Sequence, residues 1–299
     1  MNKGMLYAVG AYVFWGFLPV FWRALHDLPA LEILSHRVVW GLVVALVLVS
    51  YRLRWGWLGP VLRSRRTLLT FTASALLLSF NWFVYIWAVN AGYIVETSLG
   101  YFINPLVNVL LGFLFLGERL RIGQAAAIVI ALAGVLDLTM QYGALPWIAL
   151  LLAGSFGGYG LLRKTAVLGS LEGFTLETMV LFLPALAYLL YHEWLGGATF
   201  GHAGVGTSLL LACAGIVTAV PLLLFASGAR RITLTTLGIL QYIAPTIQFL
   251  LGVLVYHEAL SLGRLIGFCI IWLALVIYTT ESLLHTSGAA RARAAASKP

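Results

Sequence analysis

The sequence predicts an all-α integral membrane protein of ten transmembrane helices arranged as two inverted five-helix repeats. Three observations carry that expectation. Of the 299 residues, 62% are hydrophobic and only 9% charged. Apolar runs of bilayer length recur along the whole chain, and residues 103–123 line up with residues 243–263 at a constant offset of 140. Mean hydropathy is +0.98, whereas soluble domains hold roughly a quarter charged residues.

A helix needs about 20 apolar residues to cross a hydrocarbon core of about 30 Å. Such runs fall at 4–22, 33–50, 68–88, 97–116, 122–139, 144–162, 174–191, 207–227, 236–256 and 262–280. None alternates with the two-residue period of a membrane barrel. The first run carries Trp15 and Trp22 and continues into FWRALHDLPA with no small-residue cleavage site, so it reads as a retained helix and not a leader. Trp55, Trp57, Trp147 and Trp194 fall near run ends, where an interfacial aromatic belt belongs. Cys213 and Cys269 lie inside runs without CxxC spacing and are expected as small apolar core residues. No metal-ligand spacing and no cofactor motif occurs, so neither group is expected. The basic stretch 285–299 has no apolar period and is expected to be a disordered cytoplasmic tail.

The net charge of +8 is not a nucleic-acid footprint, because its placement follows the membrane. All of the 18 Lys and Arg residues except Arg23, Arg37 and Arg264 fall on one side of the ten runs. The positive-inside rule then places both termini in the cytoplasm and requires an even number of spans. Lipid is the expected surrounding partner.

The aligned segments INPLVNVLLGFLFLGERLRIG and IAPTIQFLLGVLVYHEALSLG share Pro105/Pro245, Gly112/Gly252, Glu118/Glu258 and Gly123/Gly263. Shared leucine content does not generate aligned Pro, Gly and Glu, so the repetition is internal homology. It divides the chain into repeats 1–140 and 141–284. Five runs per repeat force the second to run upside down, the architecture of carriers whose site lies at midplane between halves.

Within the fourth run Ser98, Tyr101, Pro105 and Asn108 are spaced to share one helical face, and Gly238, Gln241, Pro245 and Gln248 repeat the pattern in the ninth. Each proline removes one ladder N–H and is expected to break or bend its helix. Unpaired polar groups in hydrocarbon cost several kcal/mol, so the two stripes, with Asn104, are expected to line a polar cavity or to bond across a helix interface. Asn81 and Tyr85 share a face of the third run. Trp15, Trp82, Tyr85, Tyr101 and Tyr242 supply candidate aromatic walls. His36, Arg37 and Glu177 are candidate gate residues, because an ionisable group inside a span is a functional hypothesis by default. Arg37 is expected at the outer mouth, favouring an anionic or hydrogen-bond-accepting cargo. Coupling to a proton through His36 or Glu177, and a homodimer, stay open.

The blocks LEILSHRVVW (31–40), NWFVYIWAVN (81–90), ETSLGYFINPLVN (96–108), FLGER (115–119), GIVTAVPLL (215–223) and TLGILQYIAPT (236–246) resemble the RarD branch of the EamA-type drug/metabolite transporter superfamily. The resemblance covers nearly the whole chain outside the tail and departs at His257, where the pattern has glycine before Glu258. It implies a ten-helix inner-membrane carrier with a central pocket for a small organic solute, and it names no cargo. A facilitative channel or uniporter is the alternative. An intramembrane enzyme is a distant third, since no run holds HExxH or a pair of aspartates.

Overall fold

A computed structural model describes residues 3–25, 27–52, 55–91, 93–143, 145–256 and 262–296. His257 and Glu258 therefore lie outside the described residues. The elements in order are α1 (Lys3–Arg23), α2 (Ala30–Arg52), a 3-10 turn (Trp55–Trp57), α3 (Leu58–Arg63), α4 (Arg65–Asn90), α5 (Ile94–Leu116), α6 (Ile122–Tyr142), α7 (Trp147–Thr165), α8 (Ser170–Trp194), α9 (Val205–Ala229), α10 (Leu234–Gln241), α11 (Ile243–Leu254) and α12 (Leu262–Ala296). Every regular element among the described residues is helical, as hydrocarbon demands of a chain that must satisfy its own backbone. Eight of these stretches, with α10 and α11 counted as one, are long and apolar enough to cross a membrane.

The core sits where helices meet, and the outside is apolar too. Val47, Leu69 and Phe113 project outward at 62%, 70% and 57% exposure, a surface suited to lipid and not to water. Cys213 and Cys269 are free thiols on that exterior and not in the core. The pattern of runs says that a helix is membrane-embedded without saying which face meets lipid.

Packing pairs elements from the two halves of the chain. α5 lies against α7, α1 against α9 and α11, α2 against α8 and α9, α4 against α7 and α8, α6 against α12, and α10 against α5. α10 comes close to α5 at Gly238, where an added Cβ would stand 2.6 Å from the Pro105 carbonyl oxygen. Only a residue without a side chain fits there.

The two prolines behave differently. The helix breaks at Tyr242, between α10 and α11, beside Gln241, whose carbonyl loses its ladder partner to Pro245. Pro105 lies inside the unbroken α5. One missing ladder bond does not end a helix held on two sides, here by α7 and α10. α12 continues to Ala296, through AARARAAA, whose alanines and arginines are among the strongest helix formers.

Candidate functional site

A cavity of about 190 Å³ opens where the helices of both halves converge. α1 contributes Tyr12, Trp15, Leu18, Pro19 and Trp22; α2 contributes Arg37; α4 contributes Asn81, Trp82 and Tyr85. From α5 come Thr97, Gly100, Tyr101 and Asn104, from α7 Leu152 and Phe156, and from α9 Thr218 and Leu222. Gln241 of α10 and Ala244, Pro245 and Gln248 of α11 complete the wall. Trp15, Asn81, Trp82, Tyr85, Tyr101, Asn104, Gln241 and Gln248, picked from the sequence, thus share one cavity.

The α5 stripe is rotated from the expected one. Thr97, Tyr101 and Asn104 face the cavity, one residue round from Ser98 and Pro105, because spacings of four and three follow the helical period on either side of a given face. Asn108 is fully buried just beyond the cavity. Its Nδ2 donates to Gln241 Oε1 at 3.0 Å and to Asn104 Oδ1 at 3.4 Å. Asn108 therefore joins the two stripes, the interface role weighed against a lining role. Tyr242 is buried as well, its hydroxyl donating to the Phe102 carbonyl at 3.1 Å.

Each lining amide has one end engaged. Asn81 Nδ2 donates to the Leu152 carbonyl at 2.8 Å and to Ser155 Oγ at 2.9 Å. Gln248 Nε2 donates to the Trp15 carbonyl at 3.2 Å. Gln241 instead accepts at Oε1, which leaves its amino group as the end without a protein partner among the described residues. Below these groups lies an aromatic cluster, with Trp15 and Phe156 edge-on at 5.7 Å and Tyr159 stacked on Phe225 at 5.8 Å.

Arg37 is part of the cavity wall. Its Nε donates to Thr218 Oγ1 at 3.0 Å, and its Cζ lies 4.2 Å over the Trp82 ring and 4.8 Å over the Trp22 ring. Such cation–π contacts are worth about 0.5–2 kcal/mol each, the larger value when desolvated. The other two gate candidates lie elsewhere. His36 stacks on Phe200 at 5.0 Å and is buried outside the lining, since adjacent helical residues point about 100° apart. Glu177 is buried among Ser74, which donates to its Oε1, and Arg163, whose Nη1 is 3.6 Å away. It does not line the cavity.

Three features escaped the sequence reading. Arg163 is 1% exposed, although its place at a run end suggested only a basic loop. Thr218 and Trp22 hold Arg37, yet nothing local distinguishes them from other threonines and belt tryptophans. Finally, Glu118 reaches across to α10, accepting from Leu234 N at 2.6 Å, Thr235 N at 2.9 Å and Thr235 Oγ1 at 2.8 Å. Gly117, at φ 63°, ends α5 in a left-handed turn, and Glu118 N donates back to Gly112 O at 3.0 Å, which folds the carboxylate toward α10. Lys164 Nζ, 4.0 Å from Glu118, donates to the carbonyls of Ala229 and Ile232.

A bundle of bilayer-length helices whose two halves enclose a small, largely apolar cavity with polar groups in its wall fits a polytopic membrane protein of the transporter class. Residues 2–140 match the EamA-like transporter family. The chain is 50% identical over 299 residues to "Protein RarD" of Streptomyces exfoliatus, covering 100% of this chain and 94% of that one. It is 49% identical to "Uncharacterized transporter YojE" of Bacillus subtilis (strain 168), covering 93% and 94%, and 42% identical to "Protein RarD" of Escherichia coli (strain K12), covering 94% and 95%. One crystal structure shares the fold, with a TM-score of 0.68 at 22% identity over 93% of this chain and 97% of that one. The chain belongs to the EamA-like transporter family, in its RarD branch.

Proposed function

We propose that this protein is a secondary carrier that moves a small organic solute across the inner membrane by alternating access, with cytoplasmic termini and ten crossing helices in two inverted repeats. The single observation that carries the reading is the cavity itself, built from both halves and lined by polar groups that have no use in lipid. Asn81, Tyr85, Tyr101, Asn104, Gln241 and Gln248 are its solute-contacting residues.

The packing supports the inverted repeat. Exchanging α1, α2, α4, α5 and α6 for α7, α8, α9, α10–α11 and α12 turns α5 on α7 into α1 on α11, α1 on α9 into α4 on α7, and α2 on α9 into α4 on α8. The pairs α2 with α8, α5 with α10 and α6 with α12 map onto themselves.

The distribution of polar contacts supports a state closed toward the cytoplasm. Glu118, Lys164, Arg163 and Glu177 lie on the side that the basic residues assign to the cytoplasm, and each joins separate elements. The cavity lies toward the other side, beyond the Asn108–Gln241 contact. With His36 and Glu177 away from the cavity, this reading routes no coupling proton through either. Saturable, counterflow-stimulated uptake into proteoliposomes is the expected result; unsaturable ohmic current in the same vesicles would overturn the carrier reading in favour of a channel.

A further inference from the structure

The cavity contains a positive charge that, among the described residues, is held by neutral groups. Arg37 is the one formally charged residue lining it among the described residues. Its direct contacts among the described residues are a hydroxyl and two indole faces, with the neutral phenols of Tyr85 and Tyr101 nearby, and its two Nη groups donate to no protein atom among the described residues. Leaving a guanidinium at a low-dielectric site without a counter-anion costs several kcal/mol, more than a hydroxyl and two indoles return. Helix packing does not need the charge, since a neutral side chain could meet Thr218 and the indoles. A carboxylate meets the deficit best, because the planar guanidinium fork matches it edge to edge through two parallel N–H donors. Gln241 adds a further donor, its Oε1 being occupied by Asn108.

We infer that the cargo is a monoanion, a small organic carboxylate bound through Arg37, with a flat apolar body laid against the aromatic wall of Trp15, Trp82 and Tyr101. This inference rests on the carrier reading of the same cavity and narrows it to a substrate class. One cation compensates one negative charge. A second carboxylate would be buried without a partner, and a cationic group would meet Arg37 unshielded, so dianions and amines are rejected by the same physics that admits the monoanion.

The test uses four probes of one shape: phenylacetate, phenylacetamide, phenethylamine and phenylmalonate. Binding to the purified full-length protein is read from tryptophan fluorescence at neutral pH. The expected result is phenylacetate bound about tenfold or more tighter than each of the other three. In Arg37→Gln the preference for phenylacetate over phenylacetamide should vanish while amide binding stays within about threefold; Arg37→Lys should retain part of the preference. Equal binding of acid and amide by the wild type, no binding of the acid, or a preference that survives in Arg37→Gln overturns the inference. The wild-type comparison needs no variant, so a poorly folding Arg37→Gln protein leaves the inference exposed to refutation. Counterflow in proteoliposomes separates the two readings. Charge-selective binding with no counterflow sinks the carrier and keeps the anion site, whereas counterflow of some solute without charge selectivity does the reverse.

Discussion

Under the proposed alternating-access carrier with cytoplasmic termini, replacing Glu118 with alanine should loosen the closure on the cytoplasmic side without touching the cavity. In the wild type its carboxylate takes the backbone N–H groups of Leu234 and Thr235, while Thr233 Oγ1 takes that of Thr236 at 3.1 Å, so the first turn of α10 is capped from two sources. Loss of a cap costs about 1 kcal/mol, and loss of a carboxylate at a helix N-terminus up to about 1 kcal/mol more. The carboxylate is only 11% exposed, so solvent screens little of this. A contact that joins the α5–α6 turn to α10 is made only while those elements are together, so about 2 kcal/mol is lost from the closed state alone. That corresponds to about a 30-fold shift toward the open state. Lys164 keeps its two carbonyl partners and limits the collapse. The assay is thiol labelling, in inside-out vesicles, of a cysteine at Leu237, a fully buried position in α10, with Cys213 and Cys269 replaced by alanine. While opening is rare and fast, the labelling rate is proportional to the open fraction, so Glu118→Ala should label about 30 times faster than the parent and Glu118→Gln less than that. Equal rates in parent and Glu118→Ala, at equal thermal stability, would show that this carboxylate does not hold the closure.

Glu177→Leu strips Arg163 of its buried counter-charge and should lower unfolding stability in detergent by about 3–5 kcal/mol, whereas the double variant Arg163→Met with Glu177→Leu should regain most of it; an additive double variant would contradict the pairing. Gly238→Ala places a methyl against the Pro105 carbonyl and should cost about 1–3 kcal/mol by forcing α10 off α5. Gly154→Ala, with open space around its Cβ position, should be neutral or stabilising by about 0.4–1 kcal/mol in the same thermal melts. Arg121→Ala removes the bidentate pair to Glu281, at 2.6 and 2.7 Å, yet should change stability by no more than about 1 kcal/mol, because Arg121 is 38% exposed and solvent screens the pair.

What the sequence by itself determined follows from the solvent. Hydrocarbon tolerates only long apolar stretches with internally satisfied backbone, so membrane class and helical character were legible from composition and run length. The transporter family was legible in blocks such as SLGYFINPLVN. Polar residues in such stretches are conspicuous for the same reason, which is why Asn81, Tyr101, Asn104, Gln241 and Gln248 stood out. Tertiary structure decided how those residues are used. Whether Asn108 lines the cavity or clasps Gln241 turns on a rotation of about 100° per residue, which an apolar run with polar groups on adjacent faces does not specify. Arg163 read as a loop cation and Glu177 as a gate candidate, because each is neutralised by a partner on another helix, and long-range pairing leaves no local mark. The same holds for Glu118, whose role depends on a helix N-terminus 116 residues further along the chain. Arg37 was legible as a charge inside a span. That its immediate partners among the described residues are neutral, two indoles and a hydroxyl, emerged only once α1, α4 and α9 had closed around it.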